Sequence, residues 1–288
     1  MPQFKLKDGR ELEIHENGIT SDKAIVFHHG TPDHASTWGD WLDMAASLGI
    51  RAISYSRAGY GTSDRNPGRS IITNNGDITQ VLEGKSISRF VSIGQSGGGP
   101  HSLASTCDPL NVGAISLAGV GVYGASDLDF LEGMGPENHD EFGAALSGEK
   151  TIEEWMNKNA LAFKNVTEAD IIEAFGGLIG DADKAALRDG GAAKIAGSTR
   201  SALAVSFDGW IDDDLAFVKN WGFELSTITK PVFLWQGDDD FMVPHAHSYW
   251  LEKHIPTATL SFKPGEGHIS LGIRYRSEIL KQAQELLK

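Results

Sequence analysis

Cysteine is nearly absent. Cys107 is the single one, so no disulfide can form within the chain. It is expected as a small buried apolar residue beside Leu103 and Ala104. Long apolar runs are absent too, and none approaches the roughly 20 residues that span a bilayer. The opening Met1-Pro2-Gln3-Phe4-Lys5 lacks the apolar centre of a secretory signal. A cytoplasmic location is therefore expected by default. No group of His, Cys and carboxylates has zinc-site spacing, so no metal or other cofactor is expected. His28, His29, His34, His101, His245 and His247 are read as structural.

Basic residues are scarce in one segment. Residues 121–225 hold 20 acidic and 8 basic side chains, whereas the rest of the chain is close to balance. Such a surface repels phosphate backbones and anionic lipid, which argues against nucleic acid and membrane as partners. It reads as a solvated helical surface, with steering of cationic or neutral substrates as the alternative. Association with further copies of the chain is left open.

Glycine is plentiful, at 34 residues. Short glycine patterns therefore arise by chance, and their context must decide. Apolar runs at 24–28, 51–54, 90–93 and 112–117 read as strands, with helical patterns between them at 38–48 and 77–82. Alternation around Asp8-Gly9 predicts an N-terminal hairpin. Strands alternating with helices imply a mostly parallel α/β sheet with right-handed crossovers. The rhythm breaks after Leu117 and resumes at Val232, then continues through a helix at 246–254, a strand at 259–262 and a helix at 277–287. The interval reads as helical, with capping boxes expected at Thr151 and Thr167. Residues 1–120 and 226–288 are thus expected to form a core domain, and 121–225 an inserted helical cap.

Gly94-Gln95-Ser96-Gly97-Gly98 follows the strand at 90–93 and precedes a helix. A G-x-S-x-G turn between strand and helix holds its serine in a strained backbone geometry that exposes the hydroxyl. Serine is a weak nucleophile unless a base is in reach, and that base needs an anion to orient it. In open α/β sheets the reactive groups gather at the carboxyl ends of strands. His268 follows the last strand, and Asp238, Asp239 and Asp240 follow the strand before it. An oxyanion needs two N–H donors. Gly97 offers one, and the loop His29-Gly30-Thr31-Pro32 offers the other through Thr31, unless Thr31 is an ordinary loop residue.

These motifs, with Ser56-Arg57-Ala58-Gly59-Tyr60-Gly61-Thr62-Ser63 and Gly237-Asp238-Asp239-Asp240-Phe241-Met242-Val243-Pro244, resemble the α/β-hydrolase superfamily of serine hydrolases. The resemblance implies an α/β-hydrolase fold with a helical cap. It also implies a triad of Ser96, Asp240 and His268, an oxyanion hole from Thr31 and Gly97, and support from His29, Gly30, Gly94, Gln95 and Gly98. Dehalogenases and epoxide hydrolases of this fold use Asp where this chain has Ser96. The resemblance to prolyl aminopeptidases is partial, because their oxyanion and elbow motifs differ from those here. The expected activity is cleavage of an ester or amide of a small, apolar substrate. An aminopeptidase-like enzyme with cap carboxylates holding an ammonium, and a non-catalytic ligand-binding protein, are the alternatives. One or two of Trp155, Phe163, Phe175, Phe207, Trp210, Phe217, Trp221 and Phe223 are expected to line the pocket.

Overall fold

The computed structural model describes residues 2–288. The hairpin β1 (Gln3–Lys5) and β2 (Glu11–Glu16) leads into β3 (Lys23–His28), α1 (Gly39–Ser47), β4 (Arg51–Tyr55) and α2 (Asn74–Gly84). Then come β5 (Arg89–Gln95), α3 (Gly98–Ala104) and β6 (Asn111–Leu117). Six helices follow: α4 (Pro136–Leu146), α5 (Glu149–Asn159), α6 (Glu168–Phe175), α7 (Asp181–Ala186), α8 (Ala192–Ala202) and α9 (Asp208–Phe217). The chain closes with β7 (Val232–Gly237), α10 (Ala246–His254), β8 (Ala258–Lys263) and α11 (Ser270–Leu286).

The eight strands form one sheet in the order β1-β2-β4-β3-β5-β6-β7-β8. The first two pairings are antiparallel and the rest parallel. Both faces of the parallel part are covered, which is why its strands read as continuous apolar runs. In β3 the side chains still alternate. Ile25 and Phe27 pack with Trp38, Trp41 and Leu280, while Ala24 and Val26 pack with Ile78, Val81 and Leu82. The register aligns His28 with Gly94, and Gly94 with Ser116, so the carboxyl ends of β3, β5 and β6 meet at one edge.

The segment between β6 and β7 contributes no strand to this sheet. Thr167 caps α6 in a reciprocal box with Asp170, as its sequence predicts. The box expected at Thr151 is not formed. Gly148, at φ +104°, ends the preceding turn and α5 begins at Glu149. Helix α11 starts at Ser270, earlier than the apolar spacing from 277 implies. Its first turns bury Leu271 but expose Ile273, so the stripe there is too sparse to recognise. Cys107 is exposed, contrary to expectation. Helix α3 ends at Ala104 and a tighter turn at Ser105–Cys107, with three residues per turn, carries the thiol off the Leu103 face. Among the described residues, no helix is long and apolar enough to cross a membrane.

A paired glycine substitution tests this packing. A Cβ on Gly94 would overlap the Gly98 carbonyl, whereas one on Gly143 in α4 meets nothing within 4 Å. Urea denaturation should show Gly94→Ala destabilised by ~1–3 kcal/mol or more. Gly143→Ala should gain ~0.5–1 kcal/mol through helix propensity.

Candidate active site

Ser96 sits where β5 turns into α3, at φ +55°. Its N–H donates to the Leu117 carbonyl at 2.9 Å, and the Gly99 N–H donates to the Ser96 carbonyl at 2.9 Å. A left-handed conformation in a residue with a Cβ costs on the order of 1–3 kcal/mol. The two bonds and the close approach of Gly94 to Gly98 hold it. The Gly30 α-carbon lies against this turn, since a Cβ there would stand 3.5 Å from Ser96 Cβ. Thr31 is beside Gly97 in the same way. Ser96, Gly97, Gly30, Thr31 and His268 line one cavity of about 620 Å³.

Of the three sequence candidates for the acid, Asp240 is the one brought to His268. Its Oδ2 accepts from His268 Nδ1 at 2.9 Å and from Gln236 Nε2 at 3.2 Å. Its Oδ1 accepts from the N–H groups of Met242 (3.0 Å) and Val243 (2.8 Å). Asp238 is exposed and accepts from the Gly265 N–H instead. Both Asp240 and His268 are buried. Burial works against a charged imidazole, but Asp240, and behind it Asp183, raise the His268 pKa above its ordinary value. With Nδ1–H committed to Asp240, Nε2 is the nitrogen left for other partners. Gln95 Nε2 donates to the His268 carbonyl at 2.9 Å, tying the histidine loop to the serine turn.

The loop at 29–31 is fixed by a buried ion cluster. His29 Nε2 accepts from the Arg57 N–H at 2.9 Å, and its Nδ1 donates to the Gly30 carbonyl at 2.8 Å. This neutral tautomer agrees with a pKa depressed by burial and by Arg57. Arg57 donates to the His29 carbonyl, to the Gly30 carbonyl (2.8 Å), to Thr31 Oγ1 (3.1 Å) and to Asp213 (2.6 Å). The Gly30–Thr31 peptide is trans, so its N–H points opposite to its carbonyl. Holding the Gly30 carbonyl at Arg57 therefore turns the Thr31 N–H away from the guanidinium.

Asp213 belongs to α9, far away in sequence. It accepts from Thr31 Oγ1 at 2.7 Å and Tyr60 Oη at 2.8 Å, and pairs with Arg69 at 2.6 Å. Burial raises its pKa, but Arg57 and Arg69 outweigh that and hold it well below the carboxylate range. His101 lies behind, 3.7 Å from Asp213, with its pKa lowered to about 4 by burial and the two arginines. The inserted segment touches the other two loops as well. Ile179 forms an antiparallel bridge with Asp240. Asp183 Oδ1 accepts from the N–H groups of Ile269 (3.0 Å) and Ser270 (2.8 Å), at the start of α11. Asp183 and Asp213 entered the sequence reading only as part of an acidic total. Asp212-Asp213-Asp214 between Trp210-Ile211 and Leu215-Ala216-Phe217 was the available signal, because a helix so flanked is buried all round.

Five of the eight aromatics considered line the cavity: Trp155, Phe163, Phe175, Trp210 and Phe217. That exceeds the one or two expected. The cavity runs along the helices instead of meeting them at one edge.

Glu13, His15 and His34 bring possible ligand atoms within 4.8 Å of one another. The Ser36 N–H donates to His34 Nδ1 at 3.1 Å, which places the His34 proton on Nε2, facing Glu13 at 3.0 Å. Glu13 also accepts from the N–H and hydroxyl of Thr62. The trio is thus a hydrogen-bonded staple between β2 and two loops, with the His34 lone pair turned away from Glu13.

Removing Asp213 tests the ion cluster. Asp213→Ala leaves Arg57 and Arg69 buried without their anion and should cost ~3–5 kcal/mol in chemical denaturation. Lys150→Ala, which breaks an exposed pair with Glu154, should change stability by less than ~0.5 kcal/mol.

Comparison with known proteins identifies the fold family. A family model described as alpha/beta hydrolase fold matches residues 23–274. An epoxide hydrolase from Caballeronia sordidicola is 33% identical over 103 residues, covering 32% of this chain and 31% of that protein. A non-heme chloroperoxidase from Streptomyces lividans is 29% identical over 147 residues, covering 50% of this chain and 53% of that protein. The chain thus aligns with about a third to a half of the length of these relatives. A thermophilic esterase from Thermogutta terrifontis, solved with malate bound, superposes with a TM-score of 0.72 at 16% identity, over 100% of both chains. Est816, described as an N-acyl homoserine lactone degrading enzyme, superposes at 0.69 with 22% identity over 99% of both chains. Likeness at such low identity concerns the fold, and with the family match over most of the sequence, this chain belongs to the alpha/beta hydrolase fold family.

Proposed function

We propose that this protein is a serine hydrolase that cleaves an ester or amide of a small apolar substrate through an acyl-enzyme on Ser96. The observation that carries this reading is the Asp240–His268 hydrogen bond of 2.9 Å at the cavity that also holds Ser96 in its left-handed turn. Ser96 Oγ attacks the carbonyl carbon while His268 Nε2 takes its proton. Asp240 holds the imidazole by Nδ1 and stabilises the cation that forms. The Thr31 and Gly97 N–H groups receive the developing oxyanion. The Thr31 loop is already held by Arg57 and Asp213, so little reorganisation accompanies that charge. His268 then gives the proton to the leaving group, and a water it activates releases the acyl group. Helices of the 121–225 segment act as the cap that closes the cavity over the substrate.

A cavity of about 620 Å³ suits a small molecule. Its aromatic lining favours an apolar acyl or alcohol portion. Position 96 is serine, which argues against an epoxide-opening route through a carboxylate nucleophile. Likeness to the epoxide hydrolase named above therefore does not transfer that activity.

Labelling with a fluorophosphonate probe checks the nucleophile. Wild type should carry one adduct on Ser96 and Ser96→Ala none; an equal adduct in the variant sinks the reading. On p-nitrophenyl esters, Ser96→Ala and His268→Ala should each lower kcat by several orders of magnitude. A protein that binds such esters with no turnover points to a ligand-binding role instead.

The pH profile checks the acid–base pair. His268 must be neutral to accept a proton, so kcat/KM should fall as pH drops through its pKa. Because that pKa is raised, the acid limb should have its midpoint above about 6.5. Asp240→Asn removes the main raising influence. Its limb should move to lower pH and its kcat fall by ~10³–10⁴. An unmoved limb removes Asp240 from the role.

A further inference from the structure

Helix α9 carries three consecutive carboxylates, and the protein satisfies only two. Asp212 takes two bonds of 2.9 Å from Arg65. Asp213 takes Arg57, Arg69, Tyr60 and Thr31. Asp214 is 1% exposed, and no N–H or O–H donor among the described residues reaches its side chain. Its partner is another carboxyl, Glu141 of α4, which accepts from the Trp210 indole N–H. Both Asp214 and Glu141 line the cavity that holds Ser96 and His268.

Two adjacent carboxyls, Asp214 buried and Glu141 half-buried, resist ionising together. Burial first, and then Glu141, push the Asp214 pKa well up, while Glu141 is raised by burial. Among the described residues, no lysine or arginine forms an ion pair with either carboxyl, and Asp214 Oδ2 has no hydrogen-bond donor. The cations that line the same cavity are engaged elsewhere: Lys194 and Arg276 both face Asp40. Arg69 lies near enough to lower the Asp214 pKa somewhat, but its guanidinium is paired with Asp213. Around the pair stand aromatic rings. Trp210 meets Trp155 and Phe163 edge to face, with centroids 6.3 and 5.9 Å apart. A carboxylate beside aromatic faces in a cavity is complementary to an organic ammonium, whose charge meets the anion and whose carbons meet the rings. The excess of 20 acidic over 8 basic residues across 121–225 adds a field that draws cations toward this segment.

We propose that Asp214 and Glu141 form a substrate subsite for a protonated amine, so that the ester or amide cleaved at Ser96 carries an ammonium group on its acyl or leaving portion. This rests on the serine-hydrolase reading for the chemistry but not for the binding. The subsite belongs to the aromatic part of the cavity, so the ammonium sits on the substrate's apolar end.

Equilibrium binding decides it without turnover. The probes are phenethylammonium chloride and its neutral isostere 2-phenylethanol, measured by calorimetry at pH 7.5 with the full chain. Wild type should bind the ammonium at least ten times more tightly. In Asp214→Asn and Glu141→Gln that preference should collapse toward one, whatever the absolute affinities. Equal binding of the two probes by wild type, or a preference that survives both substitutions, overturns the subsite. If Asp214→Asn does not fold, Glu141→Gln and the wild-type ratio still decide. A parallel kinetic arm compares phenylalanine p-nitroanilide with its N-acetyl form, and acetylation should lower kcat/KM at least tenfold. Loss of fluorophosphonate labelling at Ser96 with an intact ammonium preference would instead count against the hydrolase reading alone.

Discussion

The fully buried pair of Arg57 and Asp213 is the interaction on which the rest of the site depends. Arg57 comes from the loop after β4 and Asp213 from α9, so one ion pair joins the sheet to the inserted helices. Arg57 also carries the His29 and Gly30 carbonyls, and Asp213 carries the Thr31 hydroxyl. Burying charge is expensive unless every lone pair and proton is met, and a half-met network is worse than none. Here Tyr60, Arg69 and Thr31 complete Asp213 and two backbone carbonyls complete Arg57, while Arg69 Nε and the ring nitrogens of His101 behind them have no hydrogen-bond partner. Together they fix the loop beside Ser96 with little freedom to move.

This arrangement changes how the helical segment is understood. It is more than a cover laid over a finished site. Asp213 holds the loop after β3, Ile179 bridges to Asp240, and Asp183 holds the first amides of α11 beside His268. All three loops at the carboxyl edge of the sheet therefore lean on helices inserted between β6 and β7. In the proposed chemistry, motion of those helices would disturb the oxyanion donors and the base together. The same helices supply the aromatic lining and the Asp214–Glu141 carboxyl pair at the cavity. If the proposed subsite holds, positioning and selectivity fall to neighbouring residues of a single helix, Asp213 in the buried ion cluster and Asp214 at the cavity.

Much of this could be read in the chain. The parallel sheet followed from apolar runs alternating with helical spacing. The serine turn, the aspartate loop at Asp238 to Asp240 and His268 were legible because each lies just past a strand, where local glycine chemistry marks the bend. Local rules failed where the partner was distant. Thr151 has the letters of a capping box, yet Gly148 starts the helix earlier. Cys107 was expected on a buried face that ends three residues before it. Asp183 and Asp213 looked like solvated charge, since a carboxylate in a helix gives no sign of the distant backbone amides or arginine that it meets in the fold.

The sequence by itself determined the order of strands and helices, the strained serine turn, and which residue types stand at the carboxyl edge of the sheet. These are near-neighbour properties, set by backbone sterics and the period of apolar residues. Only the tertiary structure decided which of three aspartates meets His268, and which acids of the helical segment are neutralised. It also decided that Asp214 is left to Glu141 at the cavity. Those outcomes depend on burial and on the distance between charges, and a linear chain carries neither until it folds.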